Sequence, residues 1–306
     1  MTTFLAALLL ILFLSVGFAG AAVADRAIPA FLAGQTAPSW RLSLADAVRL
    51  LQTQRIRTEA PDALLWWLAP ALYLALAIVG LAVIPFGQDL VAIPSEVGIV
   101  VWGSCEALTI VAVFMFGWSA NAPLALIGAY RYVAIGLPAM LLSMFVLIGA
   151  ALPAESLGFI EIVEAQRTVW NVVRQPAGLI LFLMLGLAIS LRGPFDYASP
   201  EDLAGGVTAD VSGPGLLAWK IARLTMLVSV SAVTATAFLG GYLGPILPGF
   251  VWLLLKTAVV LLVLIWAGSV FARMPPARMM SVIWTMLLPL SFLMLLVVGV
   301  ELLLWG

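Results

Sequence analysis

The chain has 306 residues, of which 64% are hydrophobic and 9% are charged, and its mean hydropathy is +1.18. This composition excludes an ordinary soluble domain and indicates an integral membrane protein. The net charge of −1 gives no reason to expect a nucleic-acid partner. The single cysteine, Cys105, excludes an internal disulfide, and the lack of histidine removes the commonest metal ligand. We therefore expect no metal site and no covalently bound cofactor on this chain.

Long apolar runs predict an all-α polytopic protein with about eight transmembrane helices. Each run approaches the roughly 20 residues that a helix needs to cross about 30 Å of hydrocarbon. The runs are continuous, whereas the strands of a membrane barrel alternate apolar and polar residues. We expect a single membrane domain over residues 1–306, in which the fifth span is the shortest. The predicted spans are 3–24, 64–86, 97–118, 124–152, 176–191, 216–243, 247–271 and 282–304.

The first run also resembles a secretory signal, because Ala22-Val23-Ala24 looks like a small-residue cleavage site. A signal peptide, however, starts with a basic segment and has a short apolar core. Here no Lys or Arg precedes Arg26, and the run is about 20 residues long. These features favour a retained helix.

A short amphipathic helix is predicted at residues 40–56, after the first span. Ser43 and Asp46 have the spacing of a capping box. One face is apolar and the opposite face is polar, as in a helix lying along the cytoplasmic interface. The helix either serves as a basic membrane anchor or presents Asp46 and Arg49 to a ligand. The apolar stripe is Leu44, Val48 and Leu51, and the polar face holds Arg49 and Gln52.

The segment 192–215, between the fifth and sixth spans, is a predicted cytoplasmic loop and the richest in chemistry. Several Gly and Pro residues break any helix there. An acidic loop is usually a solvated connection, but Phe195 and Tyr197 are interleaved with the charges, which favours a packed or partner-covered segment. Arg192 and Asp196 are close enough in sequence to pair, or each can meet a partner subunit. The other acids, Glu201, Asp202 and Asp210, can attract protons towards a cavity or fix the loop geometry.

Two charges, Glu106 and Lys256, fall about nine residues inside the third and seventh spans. At ~1.5 Å per residue both are about 13–14 Å deep, where an isolated charge costs at least ~2.5–3.5 kcal/mol. Either each is satisfied separately, Lys256 by backbone carbonyls or a neighbouring subunit and Glu106 by protonation, or the two share a polar pocket. Three further charges lie near the ends of spans: Arg131, Lys220 and Arg223.

Basic residues predict the orientation, because Lys and Arg favour the cytoplasmic side of short loops. The even-numbered loops hold only Arg167 and Arg174. Both termini are therefore expected outside. The odd-numbered loops and their flanks hold Arg26, Arg41, Arg49, Arg55, Arg57, Arg131, Arg192, Lys220, Arg223, Arg273 and Arg278.

Several stretches, in the same order, resemble the quinone-site membrane subunit of respiratory complex I, which in bacteria is the H-type subunit. The loop RGPFDYASPEDLAGGVTADVSGPG is similar to that family's R-x-P-F-D … E-L-x-x-G … E-Y-S-G. LADAVRLLQ resembles its A-D-x-x-K-L, WWLAPALYLALAIVGLAVIPFG its second helix, and GWSANAPLALIGAYR its G-W-x-S-N-x-x-Y-A-L-L-G-A-L-R. FLGGYLGP, LPGFVWLLLKTAVVLLVLIWA and MPPARMMSVIWTMLLPLSF resemble the last three helices and their joins. The resemblance runs nearly end to end.

The resemblance implies a subunit of a complex I-like NADH-quinone oxidoreductase in the bacterial or archaeal cytoplasmic (inner) membrane. Such a subunit docks a peripheral redox arm, helps to form the quinone chamber and links electron transfer to proton translocation. The implied partners are 49-kDa-like and cluster-bearing peripheral subunits and antiporter-like membrane subunits, within membrane lipid. Quinone is the implied substrate, and the redox centres lie on other chains. The chamber or coupling candidates are Arg192, Asp196, Glu201, Asp202, Asp210, Asp46 and Arg49.

Two other functions remain open at this point. The same fold serves as the membrane anchor of group 4 energy-converting hydrogenases and formate hydrogenlyase, whose loop also carries P-F-D and S-G. GWSANAP, FLGG and VWLLLKT resemble the complex I branch more closely. A stand-alone transporter or structural membrane protein is disfavoured by the few polar residues in the spans and the lack of an inverted repeat.

The sequence departs from the family pattern at three places. LAGQTAPSW replaces an Arg- and Gly-Pro-rich stretch after the first helix. Ile189 and Met140 stand where the family carries acidic residues that belong to the path thought to couple quinone chemistry to proton movement. These replacements weaken the expectation of proton pumping, unless Glu106 partly takes the place of the missing carboxylates.

Overall fold

The computed structural model describes residues 2–36, 40–56, 58–198 and 205–305. Seven helices in these residues are long and apolar enough to cross a membrane, which confirms an α-helical, multi-pass membrane protein. The helices in the first half are α1 (Thr2–Leu32), α2 (Trp40–Gln52), α3 (Ala63–Ala82), α4 (Gly98–Ser119) and α5 (Pro123–Ala151). Those in the second half are α6 (Phe159–Glu164), α7 (Asn171–Arg174), α8 (Pro176–Ile189), α9 (Gly213–Phe238), α10 (Gly249–Val270), α11 (Pro276–Val282) and α12 (Leu288–Trp305).

The predicted fifth span corresponds to α8, which is shorter than the other apolar helices. Its 14 residues span about 21 Å, less than the thickness of the hydrocarbon layer. The helical conformation is interrupted at Gln175, with φ −135° and ψ 68°, because Pro176 disfavours helical geometry in the residue before it. The single turn α7 precedes the break, so that α7 and α8 together extend this part of the bundle.

The last span is continuous from α11 to α12 through a π-helical turn at Ile283–Leu287. Pro289 follows one residue into α12. A proline inside a helix lacks an N–H donor and clashes with the carbonyl four residues earlier. The wider turn before it is a usual way for a helix to accommodate such a defect.

Helix α9 lies at the centre of the bundle, packed against α1, α3, α8 and α10. In its most apolar 18-residue stretch 83% of the residues are buried, compared with 11% in that of the last span. The second half of α9 is rich in Ala, Ser and Thr, which allow neighbouring helices to approach closely. Ser231, Thr234 and Thr236 donate to carbonyls four residues earlier at 2.7–2.8 Å, whereas the buried hydroxyl of Ser229 has no hydrogen-bond partner among the described residues. A small-residue helix can therefore serve as the core of this membrane domain.

The interfacial helix is α2, four residues shorter at its C-terminus than predicted. The predicted capping box is wrong, because α2 begins at Trp40 and Ser43 already lies inside it. Ser43 instead donates to the carbonyl of Ala22 on α1 at 3.1 Å. The stripe of Leu44, Val48 and Leu51 is exposed, as expected of a helix whose apolar face meets lipid.

Candidate functional site

The end of α1 joins the start of the 192–215 loop to α2. Arg192 donates from Nη1 to Oδ1 of Asp25 at 2.5 Å. The next residue of α1, Arg26, forms an ion pair with Asp46 on α2. Two consecutive residues of α1 therefore hold the start of the loop and α2, and two of the predicted site residues are fixed by contacts within the chain.

Asp196 is held by a different element. Its carboxylate lies 2.8 Å from Nε of Arg273, in the join between α10 and α11. The next residue, Tyr197, donates its hydroxyl to the carbonyl of Met274 at 3.0 Å. Burial, together with the neighbouring Asp196 carboxylate, raises the pKa of Tyr197 to about 12, so the phenol remains a donor. Arg192 and Asp196, which the sequence allowed to pair with each other, thus bind opposite sides of the loop to separate parts of the bundle.

The C-terminus of α8 is capped from two neighbouring helices. Tyr73 on α3 donates to the carbonyl of Ile189, and Arg223 on α9 donates to the carbonyls of Ser190 and Leu191. Carbonyls at the end of a helix have no partner within it and carry partial negative charge. Arg223, predicted as an intramembrane charge, therefore neutralises and fixes the helix end from which the loop starts.

Glu106 lies in the interior, 3% exposed, beside a cavity of about 10 Å³. Its Oε2 accepts from the hydroxyl of Ser143 on α5 at 2.6 Å, and its Oε1 is buried without a hydrogen-bond partner among the described residues. A cavity of this size holds about one water. The cavity wall joins the membrane interior to the loop, since it includes Met140, Ile189, Phe195 and Tyr197.

Lys256 occupies a separate site. Its ammonium donates to the carbonyls of Gly241 at 3.0 Å and Leu243 at 2.7 Å, and lies 4.6 Å from the ring centroid of Trp170. Lys256 does not line the cavity beside Glu106. The hypothesis of a pocket shared by the two charges is therefore wrong, and the alternative of separate partners, with backbone carbonyls for Lys256, describes the structure.

The remaining predicted residues do not converge on one site. Asp210 is half-buried, and its Oδ2 has no hydrogen-bond partner among the described residues. Arg49 on α2 and Lys220 on α9 are exposed, and Arg131 is half-buried near the start of α5. Glu201 and Asp202 lie outside the described residues.

Sequence reasoning missed most of the partners. Asp25, Ser143 and Tyr73 each satisfy a site residue from another helix. Of these, Asp25 carried a usable signal, because it is an acid at the end of an apolar run. A serine or tyrosine within a span gives no comparable signal.

These features define a class: a multi-pass α-helical membrane protein in which the start of a charged loop is fixed beside a buried carboxyl and its cavity. A family model described as NADH dehydrogenase matches residues 5–299. The chain belongs to this family, and the resemblance found in its sequence is confirmed.

Similar proteins come from several bacteria, and each is named as an H-type subunit of NADH-quinone oxidoreductase. One from Rhodopseudomonas palustris is 35% identical over 258 residues, 84% of this chain and 81% of its own length. One from Rhizobium meliloti is 34% identical, over 84% of this chain and 82% of its own length. One from Dehalococcoides mccartyi is 29% identical, over 85% of this chain and 74% of its own length.

Proposed function

We propose that this chain is the membrane subunit of a complex I-like NADH-quinone oxidoreductase in a bacterial or archaeal inner membrane, which docks the peripheral arm and helps to form the quinone chamber. The observation that carries the proposal is the pinned loop, that is, the 192–215 loop whose first residues are fixed to the bundle by two ion pairs. Arg192 and Asp196 form ion pairs with Asp25 and Arg273, so residues 192–198 of the loop present a fixed surface to a partner. The names of the relatives support the assignment to this enzyme class.

The redox chemistry belongs to other chains in this proposal. The sequence has no histidine and one cysteine, which lies buried in α4. Electrons therefore reach quinone from a cluster-bearing peripheral subunit, next to a 49-kDa-like subunit. The contribution of this chain is apolar helix surface for the quinone tail and a docking surface for those subunits, with antiporter-like subunits beside it in the membrane.

Glu106 is the residue that we assign to proton coupling. Its Oε1 has no hydrogen-bond partner among the described residues, and Glu106 lines a cavity with room for about one water. An ionised carboxylate at this depth is costly, and no ion pair joins Glu106 to a described basic side chain, so the neutral acid is the resting form. Met140 and Ile189 line the same cavity, which supports the hypothesis that Glu106 takes the place of acids at those positions.

Docking is tested with Asp196→Asn, read out by the chains that co-purify in mild detergent and by quinone reduction in membranes. Removing one partner of a largely desolvated ion pair costs ~3–5 kcal/mol, so we expect less assembled complex or lower turnover. Glu155→Gln is the control, because Glu155 is an exposed acid away from the loop. Normal assembly and turnover of the Asp196 variant would contradict the docking role.

Coupling is tested with Glu106→Gln, which keeps the side-chain volume. We expect quinone reduction to persist while proton translocation per electron falls. Unchanged proton translocation in this variant would remove Glu106 from the coupling path without affecting the docking proposal.

The co-purifying chains also separate this proposal from its alternatives. A 49-kDa-like subunit and antiporter-like subunits are expected. A large subunit with nickel ligands would instead select the membrane anchor of a group 4 hydrogenase or formate hydrogenlyase. Purification of the chain alone, with no partner, would favour a stand-alone transporter or structural protein.

A further inference from the structure

A second cavity, of about 50 Å³, lies at the end of the bundle predicted to be cytoplasmic, between Arg55, Ile56 and Pro61 and the first turns of α3 and α9. By the space that a single buried water needs, it has room for roughly three to five waters or one small anion. Its wall includes Arg55, Trp66, Trp67, Ser212 and Gly215. None of these residues lines the cavity beside Glu106.

The cationic group of this cavity lies near an indole ring and has no acidic partner among the described residues. The guanidinium of Arg55 lies 5.9 Å from the ring centroid of Trp67. Within the same part of the chain, Arg55 forms no ion pair. Asp62, at the start of α3, does not line the cavity, and its Oδ1 accepts from the backbone N–H groups of Leu64 and Leu65 at 3.0 and 3.1 Å.

Ser212 fixes the chain around Arg55 against the start of α9. Its hydroxyl accepts from the N–H of Ile56 at 2.6 Å and donates to the carbonyl of Gln54 at 2.8 Å. Ser212 therefore forms no side-chain cap on α9. The uncapped start of a long helix favours a negative group, which adds to the charge of Arg55.

Gly215 keeps the cavity open. A Cβ at this position would lie 2.8 Å from the indole nitrogen of Trp66, so that the indole would have to move. The absence of a side chain at Gly215 thus leaves space for the indole N–H of Trp66 at the wall of the cavity.

The surroundings of the cavity are suited to lipid. Leu64 and Trp67, in the first turns of the spanning helix α3, are 72% and 45% exposed. The apolar stripe of α2 is exposed on the same side of the membrane in the predicted topology. Indole rings collect at the level of the headgroups, and basic pockets there bind anionic headgroups.

We propose that this cavity binds the phosphate of an anionic phospholipid, with Arg55 as its cationic ligand and the exposed apolar side chains of α3 along its acyl chain. The exposed leucine and indole favour a lipid over free phosphate, which would gain nothing from them. The site is independent of quinone chemistry.

The test is phospholipid binding to the purified, delipidated protein together with the chains that accompany it. Labelled phosphatidylglycerol, phosphatidylcholine and inorganic phosphate are titrated separately. We expect phosphatidylglycerol to bind most tightly, and both Arg55→Gln and Gly215→Ala to weaken it about tenfold, a loss typical of one charge-assisted contact. The first removes the charge from an exposed side chain, and the second fills the cavity without changing any charge.

Arg41→Gln is the matched control, because Arg41 also lies over an indole, 5.8 Å from the Trp40 ring centroid, but does not line the cavity. This variant should bind phosphatidylglycerol as the wild type does. Equal affinity for phosphatidylcholine, wild-type affinity in the Arg55 variant, or displacement of the lipid by inorganic phosphate at similar concentration would each overturn the assignment.

Discussion

Lys256 illustrates how this bundle accommodates a buried charge. Two carbonyls of the join between α9 and α10 accept hydrogen bonds from its ammonium, and the face of Trp170 covers a third side. Cation–π contacts of desolvated ammonium groups are worth about 2 kcal/mol or more. Lys256, a functional candidate in the sequence, therefore acts as a clamp: its hydrogen bonds hold the join at residues 239–248 against α10.

Replacing Lys256 with Met should release this clamp. Methionine fills the space but leaves the carbonyls of Gly241 and Leu243 without their donor, and an unsatisfied buried acceptor costs ~1–3 kcal/mol. We expect a lower thermal midpoint in detergent. Lys220→Met, at an exposed lysine of α9, serves as the control and should melt like the wild type. Equal melting of the two variants would show that the clamp contributes nothing.

Gly80 is required by close packing of α3 on α4. A Cβ at Gly80 would lie 2.5 Å from the ring of Trp102, which is fully buried. Gly80→Ala should therefore destabilise the protein by about 1–3 kcal/mol through overpacking. Gly20→Ala is the matched control, because a Cβ there meets nothing within 4 Å. Measured stabilities in detergent should fall for Gly80→Ala and stay or rise for Gly20→Ala, and the reverse order would contradict the packing argument.

At the scale of helices, hydropathy locates every span but misjudges several ends. The predicted second span runs to residue 86, whereas α3 ends at Ala82. Val83, Ile84 and Phe86 remain buried, so they are apolar because they join the core and not because they are helical. Hydropathy indicates that a residue is buried, not that it is helical. The sequence signal for the earlier end of α3 is Pro85.

The ends of α9 and α1 show the same limit of hydropathy, because α9 is shorter than predicted and α1 is longer. Helix α9 ends at Phe238, before the predicted 243, because Gly240 and Gly241 adopt φ of +70° and +46°. Helix α1 continues to Leu32, beyond the predicted 24, because Asp25 and Arg26 are paired with other elements and do not have to leave the helix. Pairing between distant segments is a tertiary property that no local pattern reports.

The candidate site is predictable in its location but not in its contacts. The concentration of charges marks residues 192–215, and the interleaved aromatic residues indicate packing, in agreement with the burial of Phe195 and Tyr197. Spacing alone allows Arg192 to pair with Asp196. Their partners lie on α1 and in the α10–α11 join, and only the fold brings these together.

A side-chain contact between α6 and the join of α9 and α10, on the side predicted to be outside, gives a prediction of pH dependence. Glu164 accepts from Arg167 and from the hydroxyl of Tyr242, the latter at 2.6 Å. The hydrogen bond from Arg167 is the main cause that lowers the pKa of Glu164 below its usual range. Because the pKa of Glu164 is lowered in the folded state, its ionised carboxylate stabilises the fold above about pH 4.3, the pKa of a free glutamate. This stabilisation is lost as the pH falls through the folded-state pKa.

We therefore expect Glu164→Gln to be less stable than the wild type at pH 7 and to approach it as the pH falls through the folded-state pKa. Thermal midpoints in detergent at pH 7 and at acid pH measure this convergence. Glu155→Gln, at an exposed acid in the same outer segment, provides the control for general effects of lost charge. A constant difference between wild type and Glu164→Gln at every pH would rule out ionisation as the cause.

The whole molecule is built around α9, with the first and last spans at its periphery. Their most apolar stretches are 17% and 11% buried, compared with 83% for α9. Apolar surface of this extent meets either lipid or the helices of other membrane subunits. The peripheral position of both terminal spans leaves those faces free for assembly without disturbing the core.

The orientation of the whole bundle is the last prediction, and it follows from the distribution of charge. The cytoplasmic side of the predicted topology carries the pinned loop, α2 and nearly all the basic residues outside the spans, because the positive-inside rule applies to such short loops. Single cysteines at Glu59 and Gln88, both exposed, should then be labelled from opposite sides of the membrane. Cys105→Ala provides the background, since the native cysteine is buried in α4. A membrane-impermeant maleimide added to intact cells should modify Gln88→Cys at once and Glu59→Cys after the membrane is permeabilised. Labelling of both positions in intact cells would refute the topology, and labelling in the opposite order would place the loop and its candidate docking surface outside, where no cytoplasmic redox arm could reach it.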